Sequence, residues 1–352
     1  MHASGNALRP FEAIRKPGRA ILPKPTCATS QDASNRRDIL LATGGALLLS
    51  AGGQLSAPQA AYSETDPDKR LIKVQYLSAI AKNSQKQAFK ARTQKEFRKG
   101  LAAEDAPACL RLVLHDAATY DVETGTGGLN GSIVLPQELD RPENKGLKPT
   151  VDKLRKIKNA IDEGSKKYGI PPISWSDTLV LGAKISAELS WVDAKKRRLG
   201  PGADIETISA AFGADFPVNL GRVDASGPDP AGRFPDLYTA SPQEVQGFLS
   251  TLGTKAGSTG GLFAPKPLFW ERPAFVIWTA AQPDPAKAEQ AWADANDTYK
   301  GLKLKYDRSR DTVTRTDYEV DFIDFFTRLT RLGPKLNPDF YLVDQEIAVP
   351  KL

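Results

Sequence analysis

Cys109-Leu110-Arg111-Leu112-Val113-Leu114-His115-Asp116-Ala117 is an apolar run broken by an arginine, a histidine and an aspartate. Asp105 offers a cap and Pro107 falls where a first helical turn tolerates proline, so the stretch predicts a helix over residues 106–118. Positions four apart share one helix face, so the Arg111 guanidinium and the His115 imidazole point into the same space. His115 is also the only histidine beyond His2. Either the pair does chemistry, or His115 is a core histidine satisfied by its neighbours. The rest of the chain has to decide.

The chain has 352 residues, 40% hydrophobic and 26% charged, which suits one large or two medium globular domains. Its net charge of +6 is concentrated at the start. Residues 1–61 hold seven Lys or Arg against three acids, which leaves a nearly neutral body and no case for a nucleic-acid partner. The cysteines are Cys27 and Cys109, and the single methionine is Met1. Without its N-terminal segment the chain would keep one histidine, one cysteine and no methionine. That inventory supports no intrachain disulfide and no cysteine metal cluster.

Residues 1–34 are rich in Arg, Lys, Ala, Ser and Pro and poor in acids, the composition of a plastid transit peptide. Arg36-Arg37 then precede a modest apolar run, Ile39 to Leu49, and a small-residue region ending at Ala61. A twin arginine before such a run marks residues 35–61 as a twin-arginine signal for the thylakoid lumen. The run is short of the roughly 20 residues a bilayer span needs, so no membrane span is expected in the mature protein. A disordered N-terminal targeting region followed by one domain over residues 62–352 is the organisation expected.

Within that domain helices dominate, and the fold class is mostly α. Leu71, Ile72, Val74, Leu77 and Ile80 fit an amphipathic helix, while residues 85–99 are polar enough for a solvated helix face or a loop. Thr124 to Ser132 is a glycine-rich loop whose spacing lacks a phosphate-binding pattern. Val151, Leu154, Ile157 and Ile161 predict a helix over residues 150–168. Ser174-Trp175-Ser176-Asp177 has the form of a capping box opening the next helix. Small residues along that helix, Gly182, Ala183, Ser186 and Ala187, suit close packing against a neighbour or a flat ligand. Residues 193–216 are hard to place. Their basic run, Lys195 to Arg198, is ordinarily a solvated face and is the one docking surface the sequence suggests. Residues 220–236 form a long loop rich in Gly, Pro and Asp. Further helices are expected over residues 242–252, 285–306 and 318–332, with an aromatic stretch at 262–280 and an extended tail from Pro334.

Several of these stretches resemble one family. Arg111 to Tyr120 resembles the distal helix of class I haem peroxidases, the ascorbate peroxidase group, which reads Arg-Leu-Ala-Trp-His-Asp-Ala-Gly-Thr-Tyr. Gly127-Gly128-Leu129-Asn130-Gly131-Ser132-Ile133 resembles that family's Gly-Gly-x-Asn-Gly-Ser-Ile loop, and Pro136 to Leu139 with Glu143 to Leu147 continue the match. Ser174 to Asp177 is similar to the Tyr-Ala-Asp helix start. Gly221-Arg222-Val223-Asp224 and Gly232-Arg233-Phe234-Pro235-Asp236 are similar to the Gly-Arg-x-Asp and Gly-Arg-Leu-Pro-Asp loops. Toward the C-terminus, residues 305–313 and 316–321 resemble the thylakoid lumenal, ascorbate-peroxidase-like branch.

The resemblance implies a haem-peroxidase-like helical fold and assigns roles. His115 would move the proton of bound peroxide, Arg111 would stabilise charge on the breaking O–O bond, and Asn130 would orient the histidine. Leu114 replaces the family's distal tryptophan. The family's proximal histidine, in an Ala-Leu-Ser-Gly-x-His-Thr segment, has no counterpart, because no histidine follows His115. The implied protein is therefore a degenerate ascorbate-peroxidase-like protein of the thylakoid lumen. It would bind no haem and no metal, keep Arg111, His115 and Asn130 as vestiges, and act at photosystem II or the thylakoid membrane periphery. The alternative is a haem-dependent peroxidase with an unusual proximal ligand. A serine triad on His115 is disfavoured, since no G-x-S-x-G elbow occurs. Without iron, His115 is expected to be satisfied by Asn130 or by backbone.

Overall fold

The computed structural model describes residues 68–200, 202–204, 216–235, 240–255 and 284–350. The expected transit peptide, twin-arginine signal and aromatic stretch at 262–280 lie outside the described residues. So does most of the hard-to-place stretch that follows Gly200.

Helices α1 (Ala79–Gly100), α2 (Ala106–Ala117), α4 (Lys148–Lys166) and α5 (Trp175–Leu199) build the core that carries Arg111 and His115. A one-turn helix, α3 (Pro136–Leu139), lies between α2 and α4. On α4 the expected period holds, with Val151, Leu154, Ile157 and Ile161 all buried. Each such side chain contributes about 1.5–3 kcal/mol of apolar burial. Helix α5 is buried along most of its length, and its small residues serve neighbouring helices. A Cβ on Gly182 would sit 2.8 Å from Leu154 Cδ2, so that glycine lets α5 and α4 approach. Ser186 hydrogen-bonds Cys109, whose buried thiol is pushed up to about 12 by loss of solvent.

Past α5 the chain runs through a loop holding the short strand β2 (Arg222–Val223). It continues through α6 (Pro242–Thr251), α7 (Pro285–Ala295), α8 (Asp297–Arg310) and α9 (Asp317–Leu329) to two tail strands, β3 (Lys335–Leu336) and β4 (Gln345–Ala348). Strand β4 pairs antiparallel with the first strand, β1 (Lys69–Ile72), and β2 pairs with β3. No helix among the described residues is long and apolar enough to cross a membrane.

Several expectations are corrected. Of the amphipathic helix expected over Leu71 to Ile80, Leu71 and Ile72 lie instead in β1, whose partner is in the tail, and the helix begins only at Ala79. The polar stretch at 85–99 is helical, within α1, whose Ser78 cap accepts from the Ala81 N–H at 3.2 Å. The helix expected over 285–306 breaks at Asn296, whose side chain caps α8 by accepting from the N–H groups of Thr298 and Tyr299. Asp105 precedes α2 without a capping bond. Its carboxylate accepts from the Ala102 N–H and pairs with Lys153. Ser174 does cap α5, but Asp177 does not reciprocate.

Asp177 turns instead to the Gly221–Asp224 loop. It accepts from the N–H groups of Gly221 at 2.6 Å and Arg222 at 3.2 Å, from Arg222 Nη1 at 2.9 Å and from the Tyr341 hydroxyl at 2.8 Å. Asp224 answers by accepting from the N–H groups of Trp175 and Ser176 at the start of α5. The two motifs clamp each other and hold the C-terminal tail. Gly221 adopts φ 103°, where a Cβ would lie 2.2 Å from the Asn337 carbonyl oxygen, so glycine is required there.

The basic run is corrected at one residue, while Arg197 and Arg198 are exposed as a solvated face requires. Lys195 is buried and bonds the Ser309 carbonyl at 2.9 Å and Glu319 at 3.2 Å. Arg197 pairs with Asp193. The run straddles the α5–α9 contact because its last helical turn faces inward on one side only.

Candidate functional site

Arg111 and His115 leave α2 on one face, as their spacing requires, and His115 is buried at 3% exposure. Arg111 Nη2 reaches the Lys145 carbonyl at 3.4 Å. The imidazole Nδ1 lies 2.8 Å from Asn144 Oδ1, and Asn144 Nδ2 donates to the Glu138 carbonyl at 2.8 Å. That second bond orients the amide with its oxygen toward the ring. Nδ1 must then carry the proton, and Nε2 presents a lone pair. Nε2 itself has no hydrogen-bond partner. Burial, with the nearby Arg111 charge, pushes the imidazole down to about 3, so it stays neutral at ordinary pH.

Asn144, and not Asn130, therefore orients the histidine. The Asn130 side chain points to the loop beyond, where Nδ2 donates to Asp229 Oδ1 at 2.9 Å and Oδ1 accepts from the Ser132 N–H. Asn130 is engaged there because its own backbone turns sharply. Gly131 takes φ 77°, and the Asp116 carboxylate receives the N–H groups of Gly131 and Ile133 at 2.7 and 3.0 Å. Burial pushes the Asp116 carboxyl well above its usual range, and these two backbone donors hold it back in part. The sequence did contain a signal for Asn144. It sits in the Glu143 to Leu147 stretch that continues the family match, and that stretch had been given no role.

Acidic and basic side chains ring the histidine without touching Nε2. Glu138 is buried and accepts from the Asp229 N–H at 2.9 Å, with burial raising its carboxyl. Thr119 places its hydroxyl 2.5 Å from Asp229 Oδ2. Arg141 donates to the Asp229 carbonyl. Arg233 Nη1 reaches the carbonyls of Thr119 at 3.1 Å and Thr126 at 3.0 Å, which pins the 232–235 loop over the end of α2.

The next residue closes the site. The Phe234 ring lies 4.2 Å from the His115 ring, tilted by 38°, and its other side meets Phe248 of α6 at 5.4 Å. The cavity left beside His115, Thr119 and Phe234 measures about 10 Å³, the room of a single water. Small-molecule pockets run from about 300 to 1,000 Å³. Among the described residues the space beside His115 is too small for a haem. No group of three His, Cys, Asp or Glu able to hold a metal ion occurs among the described residues. What remains is a neutral imidazole acceptor, a neighbouring guanidinium and a water-sized space.

Comparison with known proteins places this geometry. The sequence model of the peroxidase family matches residues 84–260. The chain belongs to the peroxidase family. It is 32% identical over 332 residues to a chloroplastic thylakoid lumenal 29 kDa protein of Solanum lycopersicum, spanning 92% of this chain and 87% of that one. It is 37% identical over 142 residues to a putative L-ascorbate peroxidase 6 of Arabidopsis thaliana, spanning 40% of this chain and 34% of that one. The crystal structure of the TL29 protein from Arabidopsis thaliana superposes with a TM-score of 0.61 at 30% identity, covering 74% of this chain and 99% of that one. The fold is peroxidase-like and mostly helical, and the compartment is the chloroplast thylakoid lumen.

Proposed function

We propose that this protein is a catalytically degenerate peroxidase that binds no haem and serves as a peripheral partner at the thylakoid membrane, at photosystem II. The observation that carries the reading is Phe234, which lies against the His115 ring with about 10 Å³ left beside it. The absence of any histidine after His115 supports it from the sequence, since a haem peroxidase holds its iron through a proximal ligand. In this reading Arg111, His115 and Asn144 persist because they are packed. Asn144 ties His115 to the backbone of α3, and Arg111 ties α2 to Lys145. Delivery through the twin-arginine route belongs to the same proposal and rests on Arg36 and Arg37.

The test is spectroscopic and biochemical. Mature protein incubated with hemin and desalted is expected to show no Soret band and no peroxide-dependent oxidation of ascorbate. A stoichiometric haem complex would overturn the reading in favour of a peroxidase with an unusual proximal ligand. Washing isolated thylakoids is expected to release the protein at high but not low salt, as a surface-held partner requires. A protein found free at both salt concentrations would sink the partner role and leave the haem question untouched.

A further inference from the structure

A second cavity, of about 440 Å³, lies on the α1 side of the molecule and shares no residue with the His115 site. Its volume falls in the range of small-molecule pockets. Phe89 and Tyr341 form one wall, their rings stacked at 4.1 Å and 15°. Both are buried, and the Tyr341 hydroxyl is held by Asp177 and Ser174. This wall is preformed, because the clamp that fastens the tail also fixes the ring. Val218, Leu220 and Leu336 add apolar surface, and Leu336 is otherwise exposed at 46%.

The rim is polar and comes from α1, the helix that also carries Phe89. Asn83, Lys86, Gln87 and Lys90 line the cavity at spacings of three and four, which puts all of them on one stripe of the helix. Asn83, Lys86 and Gln87 are exposed and Lys90 is half-buried, so the cavity opens to solvent along this stripe, which offers two amides and two ammonium groups. No acidic residue lines the cavity. Asp339 is the nearest carboxylate to Lys86, at 3.9 Å, but Lys82 holds it at 2.8 Å. Lys90 has no ion pair among the described residues.

We infer that this cavity is a binding site for a small organic anion with a flat apolar body, such as an aromatic carboxylate or sulfonate. The body would lie on Val218, Leu220 and Leu336 beside the buried Phe89–Tyr341 pair, and the anionic group would meet Lys86 and Lys90, with Asn83 and Gln87 as further donors. A rigid apolar floor bordered by two ammonium groups, with no acidic residue in the lining, fits such a ligand. It does not fit a neutral lipid or a cation.

The test uses 8-anilinonaphthalene-1-sulfonate as probe, titrated by fluorescence into the mature protein. Saturable one-to-one binding is expected. The double variant Lys86→Glu/Lys90→Glu, whose changes fall on exposed or half-buried helix positions, is expected to weaken it by about tenfold or more. Leu336→Trp is expected to abolish it by filling the cavity, with an unchanged circular dichroism spectrum showing that both variants fold. The neutral analogue N-phenyl-1-naphthylamine is expected to bind more weakly than the sulfonate and to ignore the lysine changes. Absence of saturable binding by the wild type, or equal affinity in wild type and the Lys86→Glu/Lys90→Glu variant, would overturn the inference.

Discussion

Two buried polar clusters, one around His115 and one around Asp177, are assembled from the same parts and differ in how completely they are paired. Around Asp177 both carboxylate oxygens are taken by backbone N–H groups, Arg222 and Tyr341. Around His115 the chain satisfies Nδ1 through Asn144 and leaves Nε2 with no partner against an aromatic ring. Both clusters come from motifs shared with peroxidases. A buried polar group left open costs stability, and folds keep such groups where they once acted or still act. The Asp177 cluster fills its carboxylate, and the His115 cluster leaves an acceptor open.

That contrast can be broken by mutation. Asp177→Ala would strand the buried Arg222 guanidinium, exposed by only 1%, and is expected to cost about 3–5 kcal/mol in urea unfolding. A loss below about 1 kcal/mol would show that the clamp is dispensable. Phe234→Ala is expected to cost about 3 kcal/mol as a large-to-small core change. It would also let water reach Nε2, so the His115 titration followed by NMR should move up from about 3 toward its ordinary value of 6.5. An unmoved titration would mean that Phe234 does not seal the site.

The smallest effect is a pH dependence. His115 has a depressed folded-state value, so the unfolded chain binds the proton more readily, and stability falls as pH drops below 6.5. Between pH 6.5 and 5 this amounts to about 2 kcal/mol. Asp116, whose carboxyl is raised by burial, contributes with the opposite sign, its stabilisation being lost as pH rises. Comparing urea midpoints of the wild type and His115→Gln across that range isolates the histidine. Parallel pH profiles would show that His115 takes up its proton without resistance in the folded state.

Much of the architecture was legible because it rests on local period. The buried stripe of α4 and the Arg111–His115 face are written at spacings of three and four. The helix start at Ser174 is written in its cap. What escaped was set by distant partners. Strand β1 looked helical because the residues that complete it come from the tail. Lys195 looked solvated because Glu319 meets it across a gap of 124 positions. The candidate site was half legible. Its two central residues stood out, but two asparagines competed for one role, and only the direction of the Asn144 amide separates them. Phe234 stands where the resembling family has leucine. The difference was on view in the motif, but its meaning depends on Arg233, which aims the loop at His115.

The pairing of β1 with β4 has a consequence for the order of events in folding. Lys73 and Asp344, which join beside that ladder at 2.7 Å, are separated by 271 positions in the chain. Loop-closure entropy grows only slowly with such a length, so the cost in stability is modest. The cost in time is larger, because contacts of high sequence separation form late. The helical core can assemble while the tail is still being synthesised, but β1 has no partner until β4 emerges. Completion of this fold is therefore a signal that β4 has been made.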